Sequence, residues 1–313
     1  MKILVYTDGS SRSTKALRFA ADLKRRLNAE LAVITVRHGT SAIEQPPPLG
    51  IKLSLAPSPD LPPGLQVLMN AARSLSSHGL FSDRQDITLK EATHSTYFVC
   101  RTDDQEKIPF FECFGPFIEA INQEIDRYDY DLLVIAPPRR NRLRRLFRGD
   151  TSRKLALELS TSVLLVRGGS TDSRFVVCAD GSTASKRQFP LLKMLLPAIR
   201  QDIELLWVES GKTDAESLRD AEKCLGEAKQ WLENCGKRAR LNKLVGQSPA
   251  HSIVEAAGSD AIIMMGASLR HDVYRQTRGS LPIRVLNQSE STILLVKSPP
   301  EADPEVFKPP FSC

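Results

Sequence analysis

The 313-residue sequence lacks any apolar run that approaches the ~20 residues of a membrane-spanning helix. It also shows no signal peptide, because Met1 to Val5 lead directly into a strand pattern. The six cysteines are scattered and none belongs to a C-x-x-C pair, which favours reduced thiols and argues against a metal site. These absences predict a cytoplasmic protein with no membrane segment and no bound metal.

Catalytic patterns are scarce as well. The five histidines have neither metal-ligand spacing nor a visible nucleophile partner, and no lysine is placed as in a phosphate-binding P-loop. We therefore assign no catalytic residue and favour a protein that is not an enzyme. The net charge of +6 permits an anionic partner without requiring one.

The sequence does contain a repeated β-α-β pattern. Lys2 to Thr7 and Glu30 to Val36 are strand-like and flank a helical spacing of apolar residues, which predicts a parallel sheet with a right-handed crossover. The pattern restarts past the midpoint with a strand over Arg174 to Ala179. There Asp180-Gly181-Ser182 repeats Asp8-Gly9-Ser10. A chain of this length can hold two such domains with full cores.

Proline marks the exceptions to the regular pattern. Seven prolines between residues 45 and 64 exclude regular elements there, so this stretch is a loop or an extended insertion. Pro190 and Pro197 predict a kink in the helix expected over residues 185–199. The other expected helices are 65–78, 116–128, 152–159, 218–235 and 252–257, and the other expected strands are 87–92 or 97–101, 131–136, 162–166, 203–208, 241–245, 260–265 and 292–296.

A strand-loop-helix whose strand stops at Gly266 occurs twice at equal spacing. Gly266 and Gly279 are 13 residues apart. Ala136 and Gly149 are also 13 residues apart, and a strand ends 17 residues later in both copies. The first copy carries about 42 extra residues, which we place in the region around 45–115. Equal spacing favours duplication of one α/β domain.

Residues in both copies resemble those of universal stress proteins. Ile3 to Leu17 resembles the opening of such a domain, and Phe175 to Ser185 resembles a second opening. Two segments resemble the fourth strand of that family, Asp131 to Ile135 and Asp260 to Gly266. Two others resemble its fifth strand, Val163 to Val166 and Ile293 to Val296. The resemblance covers nearly the whole chain as two tandem copies, apart from the insertion and the tail.

The resemblance implies two tandem doubly wound, Rossmann-like α/β domains, each with a five-stranded, mainly parallel sheet. We expect a first domain over residues 1–169 that contains the insertion around 45–115, a second over 172–298, and a tail over 299–313. It also implies pairing through the last strands, either half to half or in a homodimer.

Some members of the family bind ATP, which would come with magnesium. There, an aspartate after the first strand, a valine that ends the second, and the pattern G-x-x-G-x9-G-[ST] surround the nucleotide. The second copy matches at Asp180, Val208, Gly266, Gly279 and Ser280. It departs from the pattern at one position, where Leu269 replaces the middle glycine. Glycines there let the backbone approach phosphates, and a helix start can hold them.

The first copy keeps less of this pattern. It matches at Asp8, Val36 and Gly149 but has Ala136, Arg139 and Asp150 at the other three positions. Asp150 would place a negative charge beside a phosphate, and it is also a good N-terminal cap for the following helix. We therefore favour the second copy as the nucleotide site. Asp8 and Asp180 each fit a ligand role and a simple turn equally well.

An arginine-rich loop follows the fourth strand of the first copy. One interpretation is an anion site, and the other is a solvated loop anchored by its apolar residues. No aromatic residues are interleaved for base stacking, so nucleic acid is a disfavoured partner. The cluster consists of Arg139, Arg140, Arg142, Arg144, Arg145 and Arg148.

Three hypotheses for function follow. The leading one is a non-catalytic, cytoplasmic stress-response protein that binds a small ligand, with ATP as a candidate, or a protein partner. The second is a weak ATPase that uses the residues of the second copy. The third is a structural or interaction module without a nucleotide site.

Overall fold

The computed structural model describes residues 1–37, 52–56, 61–92, 95–137, 158–211, 214–267 and 281–297. The chain divides into two compact units, residues 1–149 and residues 150–313, called here the first and the second unit. Each is a parallel sheet covered by helices, so the predicted α/β class is confirmed. Among the described helices, none has both the length and the apolar character needed to cross a membrane.

The first unit has a sheet in the order β8-β1-β2-β7-β6-β5. Its first four strands in that order are mutually parallel, and β6 and β5 continue the sheet antiparallel. The described elements are β1 (Lys2–Tyr6), α1 (Ser11–Leu27), β2 (Glu30–Arg37), β3 (Lys52–Leu53), α2 (Pro63–Ser77), β4 (Ile87–Thr88), β5 (Lys90–Ala92), β6 (Ser95–Arg101), β7 (Lys107–Phe114), α3 (Phe117–Tyr128) and β8 (Leu132–Ile135).

Local chemistry sets the boundaries of the first β-α-β unit. The Ser10 hydroxyl caps α1 by accepting a hydrogen bond from the backbone N–H of Ser13 at 3.2 Å. Asn28 ends the helix in the left-handed conformation, with φ of 48°. Strand β1 is apolar after Lys2, and Ile3, Leu4 and Val5 are fully buried. A strand buried on both faces is what a parallel sheet between two helix layers requires.

The insertion of the first unit holds regular elements where its prolines predicted none. Strand β3 lies within residues 45–64, and α2 begins at Pro63 because proline fits the first turn of a helix. Helix α2 divides the insertion, and β3 and β4 pair antiparallel across the division, with Leu53 opposite Ile87. Strands occur in both of the alternative ranges, 87–92 and 97–101. The analysis of the sequence did not predict β7, in which Pro109 and Glu112 interrupt the apolar pattern.

Aromatic packing ties the insertion to the sheet. Phe98 of β6 stacks on Phe110 of β7 with ring centroids 4.8 Å apart, and both side chains are fully buried. Phe81 meets Phe110 edge-on at 6.4 Å. Aromatic pairs of this kind add about 0.5–1.5 kcal/mol each beyond the area that they bury. The added strands are therefore part of the core of the first unit.

The second unit has a sheet in the order β12-β11-β10-β13-β14-β9. Its first five strands in that order are parallel, which confirms the predicted five-stranded sheet, and β9 lies antiparallel to β14. The described elements are β9 (Ser162–Leu165), β10 (Arg174–Cys178), α4 (Thr183–Lys186), α5 (Phe189–Leu195), a 3-10 turn (Leu196–Ala198), β11 (Ile203–Glu209), α6 (Ala215–Asn234), β12 (Ala239–Val245), α7 (Pro249–Ala257), β13 (Ala261–Gly266), α8 (Leu281–Gln288) and β14 (Thr292–Val296).

The helix expected over residues 185–199 is interrupted, as its prolines predict. Pro190 lies in the first turn of α5, and Pro197 lies in the 3-10 turn. At the break between α4 and α5, the buried Gln188 turns inward and its Nε2 donates to the carbonyl oxygen of Cys178 at 2.8 Å. That bond fixes the kinked helix to the end of the central strand.

The end of β13 passes very close to the start of the kinked helix. A Cβ atom at Gly266 would collide with the carbonyl oxygen of Ala184 in α4. Glycine is therefore required at position 266 by packing within the protein, whatever else it contacts. The corresponding residue of the first unit, Ala136, already carries a Cβ atom and is buried.

The described cysteines differ in state. Cys100, Cys113, Cys178 and Cys224 are free and buried. Burial raises the pKa of the Cys100 and Cys113 thiols to about 12, so neither forms a thiolate readily. Cys235 is disulfide-bonded, which departs from the expectation of reduced thiols throughout. Cys313 lies outside the described residues.

Two glycine substitutions in the second unit should change stability in opposite directions. Gly226 is exposed within α6 and has open space around it, so Gly226→Ala should stabilise the unit by about 0.5–1 kcal/mol through helix propensity. Gly266→Ala should destabilise it by roughly 1–3 kcal/mol because the chain must move away from Ala184. Urea unfolding followed by the fluorescence of Trp207 and Trp231 measures both, and equal midpoints would contradict the packing argument.

A buried carboxyl group in the first unit should make its stability depend on pH. Glu124 of α3 is only 2% exposed, and its Oε1 has no hydrogen-bond partner in the described parts of the chain. Burial raises the pKa of Glu124 from 4.5 to about 7, against the opposing effect of Arg127. Because the folded protein holds this proton where the unfolded chain has lost it, stability should fall as pH rises from 4.5 to about 7.

Glu124→Gln should remove this dependence and make the first unit more stable above pH 7, by on the order of 2 kcal/mol. Glu119→Gln, at an exposed position on the same helix, is the control. Chemical denaturation at pH 5 and pH 8, followed by circular dichroism, measures the difference. Identical pH dependence in wild type and Glu124→Gln would rule out this role.

Candidate functional site

A cleft of about 820 Å³ opens in the second unit at the carboxyl ends of β10, β11 and β13. In doubly wound sheets this edge, beside the strand from which the order reverses, is where ligands bind. Apolar side chains of β11, α7 and β13 form one part of its wall, and hydroxyl and carboxylate groups of the loops form another. The described lining includes Asp180, Ser182, Leu206, Val208, Ser210, Asp214, Asp220, Ile253, Met265, Gly266, Leu281 and Pro282.

Asp180 lies at the centre of this cleft, where β10 turns into α4. It is exposed, and its Oδ1 accepts a hydrogen bond from the backbone N–H of Ser182 at 3.0 Å. Ser182 in turn caps α4 by accepting from the N–H of Ser185 at 3.2 Å. The sequence left a turn role and a ligand role open for Asp180. The structure shows the turn, and places the same carboxylate in the cleft wall.

The turn at Asp180 is held close to α6. Gly181 has φ of +77°, and a Cβ atom there would lie 2.7 Å from the backbone carbon of Asp220. Both the positive φ and the close approach require glycine. The Asp-Gly-Ser sequence is therefore used to bring the start of α4 and the side of α6 together around the cleft.

The start of α6 is capped by its own chain. Asp214 accepts hydrogen bonds from the backbone N–H groups of Glu216 at 3.1 Å and of Ser217 at 2.8 Å. The hydrogen bonds from Ser217 hold the pKa of the Asp214 carboxyl below its usual value. A helix start that is satisfied in this way has little capacity for a phosphate.

Three of the five predicted residues of the second copy meet in the cleft. Val208, half-buried, is the second-to-last residue of β11, and Gly266 ends β13, so both lie along the edge that Asp180 occupies. Gly279, Ser280 and Leu269 lie outside the described residues. Helix α8 begins at Leu281, as the sequence predicted, and its first two residues line the same cleft.

The described wall of the cleft carries negative charge. Asp180, Asp214 and Asp220 line it, and no lysine or arginine is among its described lining residues. Such a wall suits a neutral, hydroxyl-rich group such as a nucleoside better than a bare polyphosphate. In the part of the chain that the structure describes, no group of His, Cys, Asp and Glu is arranged to hold a metal ion.

The first unit repeats the turn but fills the corner beside it. Asp8 accepts from the N–H of Ser10 at 2.9 Å, and the half-buried Val36 is the second-to-last residue of β2. Tyr6 occupies the position that Cys178 holds in the second unit, two residues before the aspartate. Its ring packs edge-on against Phe117 at 4.8 Å. Burial, and next the charge of Asp8, raise the pKa of Tyr6, so its hydroxyl stays neutral.

The sequence did not predict a partly buried ion pair at the end of β2. Arg37 follows Val36, and its Nη1 lies 3.3 Å from Oε1 of the buried Glu112 in β7. Burial raises the pKa of Glu112, and the hydrogen bond and charge of Arg37 oppose that shift. A charged residue inside the apolar pattern of a strand was the one sign of this pair.

The second unit has the same pair with its charges exchanged. Glu209 follows Val208 as Arg37 follows Val36, and Lys243 of β12 takes the place of Glu112 in the strand register. Lys243 Nζ lies 3.3 Å from Glu209 Oε2. The two units thus share their backbone plan, while the side chains at the edge of the cleft have diverged. Gly149 and the cluster from Arg139 to Arg148 lie outside the described residues.

Comparison with known proteins agrees with this fold. The sequence model of the universal stress protein family matches residues 1–50 and 76–167. The unmatched stretch between them falls in the insertion. No curated protein matches the chain.

Two solved structures align with almost the whole chain. A universal stress protein from Archaeoglobus fulgidus DSM 4304 is 17% identical, with 96% of this chain and 97% of that chain covered and a TM-score of 0.56. A protein of unknown function from Pseudomonas aeruginosa PAO1 is 13% identical, with 95% and 92% covered and a TM-score of 0.58. At such identities these likenesses show a shared fold. By the family match to its first half, the chain belongs to the universal stress protein family.

Proposed function

We propose that the second unit is a second universal stress protein domain and that its cleft binds a small ligand containing a nucleoside, with ATP as the first candidate. The observation that carries this proposal is the convergence of Asp180, Val208 and Gly266 on one cleft at the carboxyl edge of the sheet. The protein would act by binding, as a non-catalytic component of a cytoplasmic stress response.

The second unit is a better candidate than the first because its cleft corner is unfilled. Cys178 leaves room where Tyr6, backed by Phe117, occupies the first unit. The first copy also has Asp150 where the second has Ser280, and a carboxylate there would repel a phosphate.

The charges of the cleft favour one orientation of a nucleotide. The base and ribose would lie against Val208 and Asp180, where apolar and hydrogen-bonding groups alternate. The phosphates would extend toward the start of α8, where backbone N–H groups of a helix face an anion. A magnesium ion on the phosphates would offset the repulsion from the three cleft aspartates.

A binding role fits the cleft better than hydrolysis does. Asp180 is held in its turn and Asp214 caps α6, so both carboxylates already accept backbone hydrogen bonds. No histidine or lysine is among the described lining residues to activate a water molecule or stabilise a transferring phosphoryl group. Pairing through the last strands, within the chain or in a homodimer, stays a prediction of the family resemblance.

A matched pair of substitutions tests the site. Asp180→Ala and Asp8→Ala remove the same turn hydrogen bond, of 3.0 and 2.9 Å, so their structural costs should be similar. Mg-ATP at 100 times its dissociation constant should stabilise the wild type by about 2.7 kcal/mol, or roughly 5–10 °C. Thermal unfolding should show that this shift is kept in Asp8→Ala and lost in Asp180→Ala.

Further readouts separate the alternatives. Gly279→Glu should abolish the shift and Gly149→Glu should not; the reverse result would mean that the first unit holds the site. An absence of any shift with Mg-ATP, ADP or adenosine, together with no nucleotide in the purified protein, would refute the proposal. Release of phosphate from bound ATP would replace the binding role with a weak ATPase.

A further inference from the structure

Strand β12 leaves an open edge on the sheet of the second unit. Along one side it pairs with β11 over seven residues, from Ala239 to Val245. No described strand lies along its other side. Two of its apolar side chains are unusually exposed, Leu241 at 50% and Val245 at 79%. A long edge with exposed apolar residues is a template for pairing with another strand.

The first unit covers the equivalent edge with its own chain. Strand β7 has the place of β12 in the strand order, and β6 of the insertion pairs with it antiparallel from Ser95 to Arg101. The sheet then ends at β5, which has three residues, two of them the exposed Lys90 and Glu91. A short, charged final strand discourages further pairing. The second unit has neither device among its described residues.

The two charged residues of β12 each have an acidic partner within the chain. Arg240 lies 3.0 Å from the carboxylate of Asp202, which the neighbouring Arg238 also contacts at 2.7 Å. Lys243 lies 3.0 Å from Glu222 and 4.9 Å from the ring centroid of Trp207. A second strand of the same sequence would therefore meet little net charge.

We propose that β12 pairs antiparallel with β12 of a second copy of this chain, forming a two-fold dimer through the third strand of the second unit. A register centred on Asn242 is self-complementary: Leu241 faces the partner's Lys243, and Arg240 faces the partner's Leu244. No two like charges are then directly opposite, and the two apolar residues exposed on each strand become part of a continuous sheet. This dimer differs from pairing through the last strands of the domains.

The oligomeric state of the full chain tests the proposal. Sedimentation velocity from 1 to 100 µM, a range we choose to bracket micromolar affinity, should show a monomer–dimer equilibrium. Val245→Lys should raise the dissociation constant at least tenfold, because it adds an unpaired charge to the edge. Met194→Lys changes an apolar residue that is 39% exposed on α5 and should leave the dimer intact.

A cross-link tests the register even if Val245→Lys disturbs folding. Asn242→Cys should form a disulfide-linked dimer under mild oxidation, since the two-fold axis passes beside this residue, whereas Lys90→Cys on β5 should not. A monomer at every concentration would overturn the proposal. So would a dimer that is indifferent to Val245→Lys and not cross-linked by Asn242→Cys.

The test also identifies other occupants of the edge. If deletion of residues 299–313 converts a monomer into a dimer that Val245→Lys dissociates, the tail of the chain covers β12 in the intact protein. That result would overturn the dimer of the full chain. A chain that stays monomeric and has β12 covered only when another protein is added would overturn the proposed dimer as well.

Discussion

Burial of the first strand of each unit on both faces is the constraint on which the rest of the structure depends. Strand β1 lies between β2 and β8, and strand β10 lies between β11 and β13. Val5 and Val177, one in each of these two strands, are fully buried. Because further strands are added on both sides of this strand, the loops at the carboxyl ends lead away from it in opposite directions. An opening beside the aspartate that follows the strand is thus a consequence of connectivity, and side chains decide whether it stays open.

The two units resolve this opening differently. In the first, Tyr6 and Phe117 pack together beside Asp8, and the hydroxyl of Tyr6 stays protonated in a buried place near a carboxylate. In the second, the smaller Cys178 leaves a cleft that reaches from Asp180 to the start of α8. The exchanged ion pairs, Arg37 with Glu112 and Lys243 with Glu209, show the same divergence at the neighbouring strand. One backbone plan therefore carries a large aromatic side chain at this position in one unit and a small thiol in the other.

The insertion also makes the sheet edges of the two units different. In the first unit it supplies β6, whose Phe98 stacks on Phe110 and closes the side of β7. No described segment of the second unit lies along the corresponding strand β12, which exposes Leu241 and Val245. The second unit therefore has both the cleft at Asp180 and, among its described residues, an uncovered strand edge at β12.

The sequence predicted most of the elements and, through the family resemblance, the residues that meet in the second cleft. Apolar periodicity identified both β-α-β openings. Pro190 and Pro197 predicted the interruption of the helix that the structure divides into α4, α5 and a 3-10 turn. It failed at β7, where Pro109 and Glu112 break the strand pattern. Glu112 is tolerated there because Arg37, from β2, supplies the counter-charge. Pro109 lies opposite Val99 of β6, so both features depend on other strands.

The sequence by itself determined the succession of strands and helices and the parallel β-α-β openings, because these follow from local periodicity, turn residues and the handedness of the crossover. The doubly wound plan was an expectation from the family resemblance. Only the tertiary structure decided which cleft is open, why position 266 requires glycine and which edge is left uncovered. Each of these depends on atoms from distant segments, such as Ala184 against Gly266 and β6 against β7, and distance along the chain carries no record of such contacts.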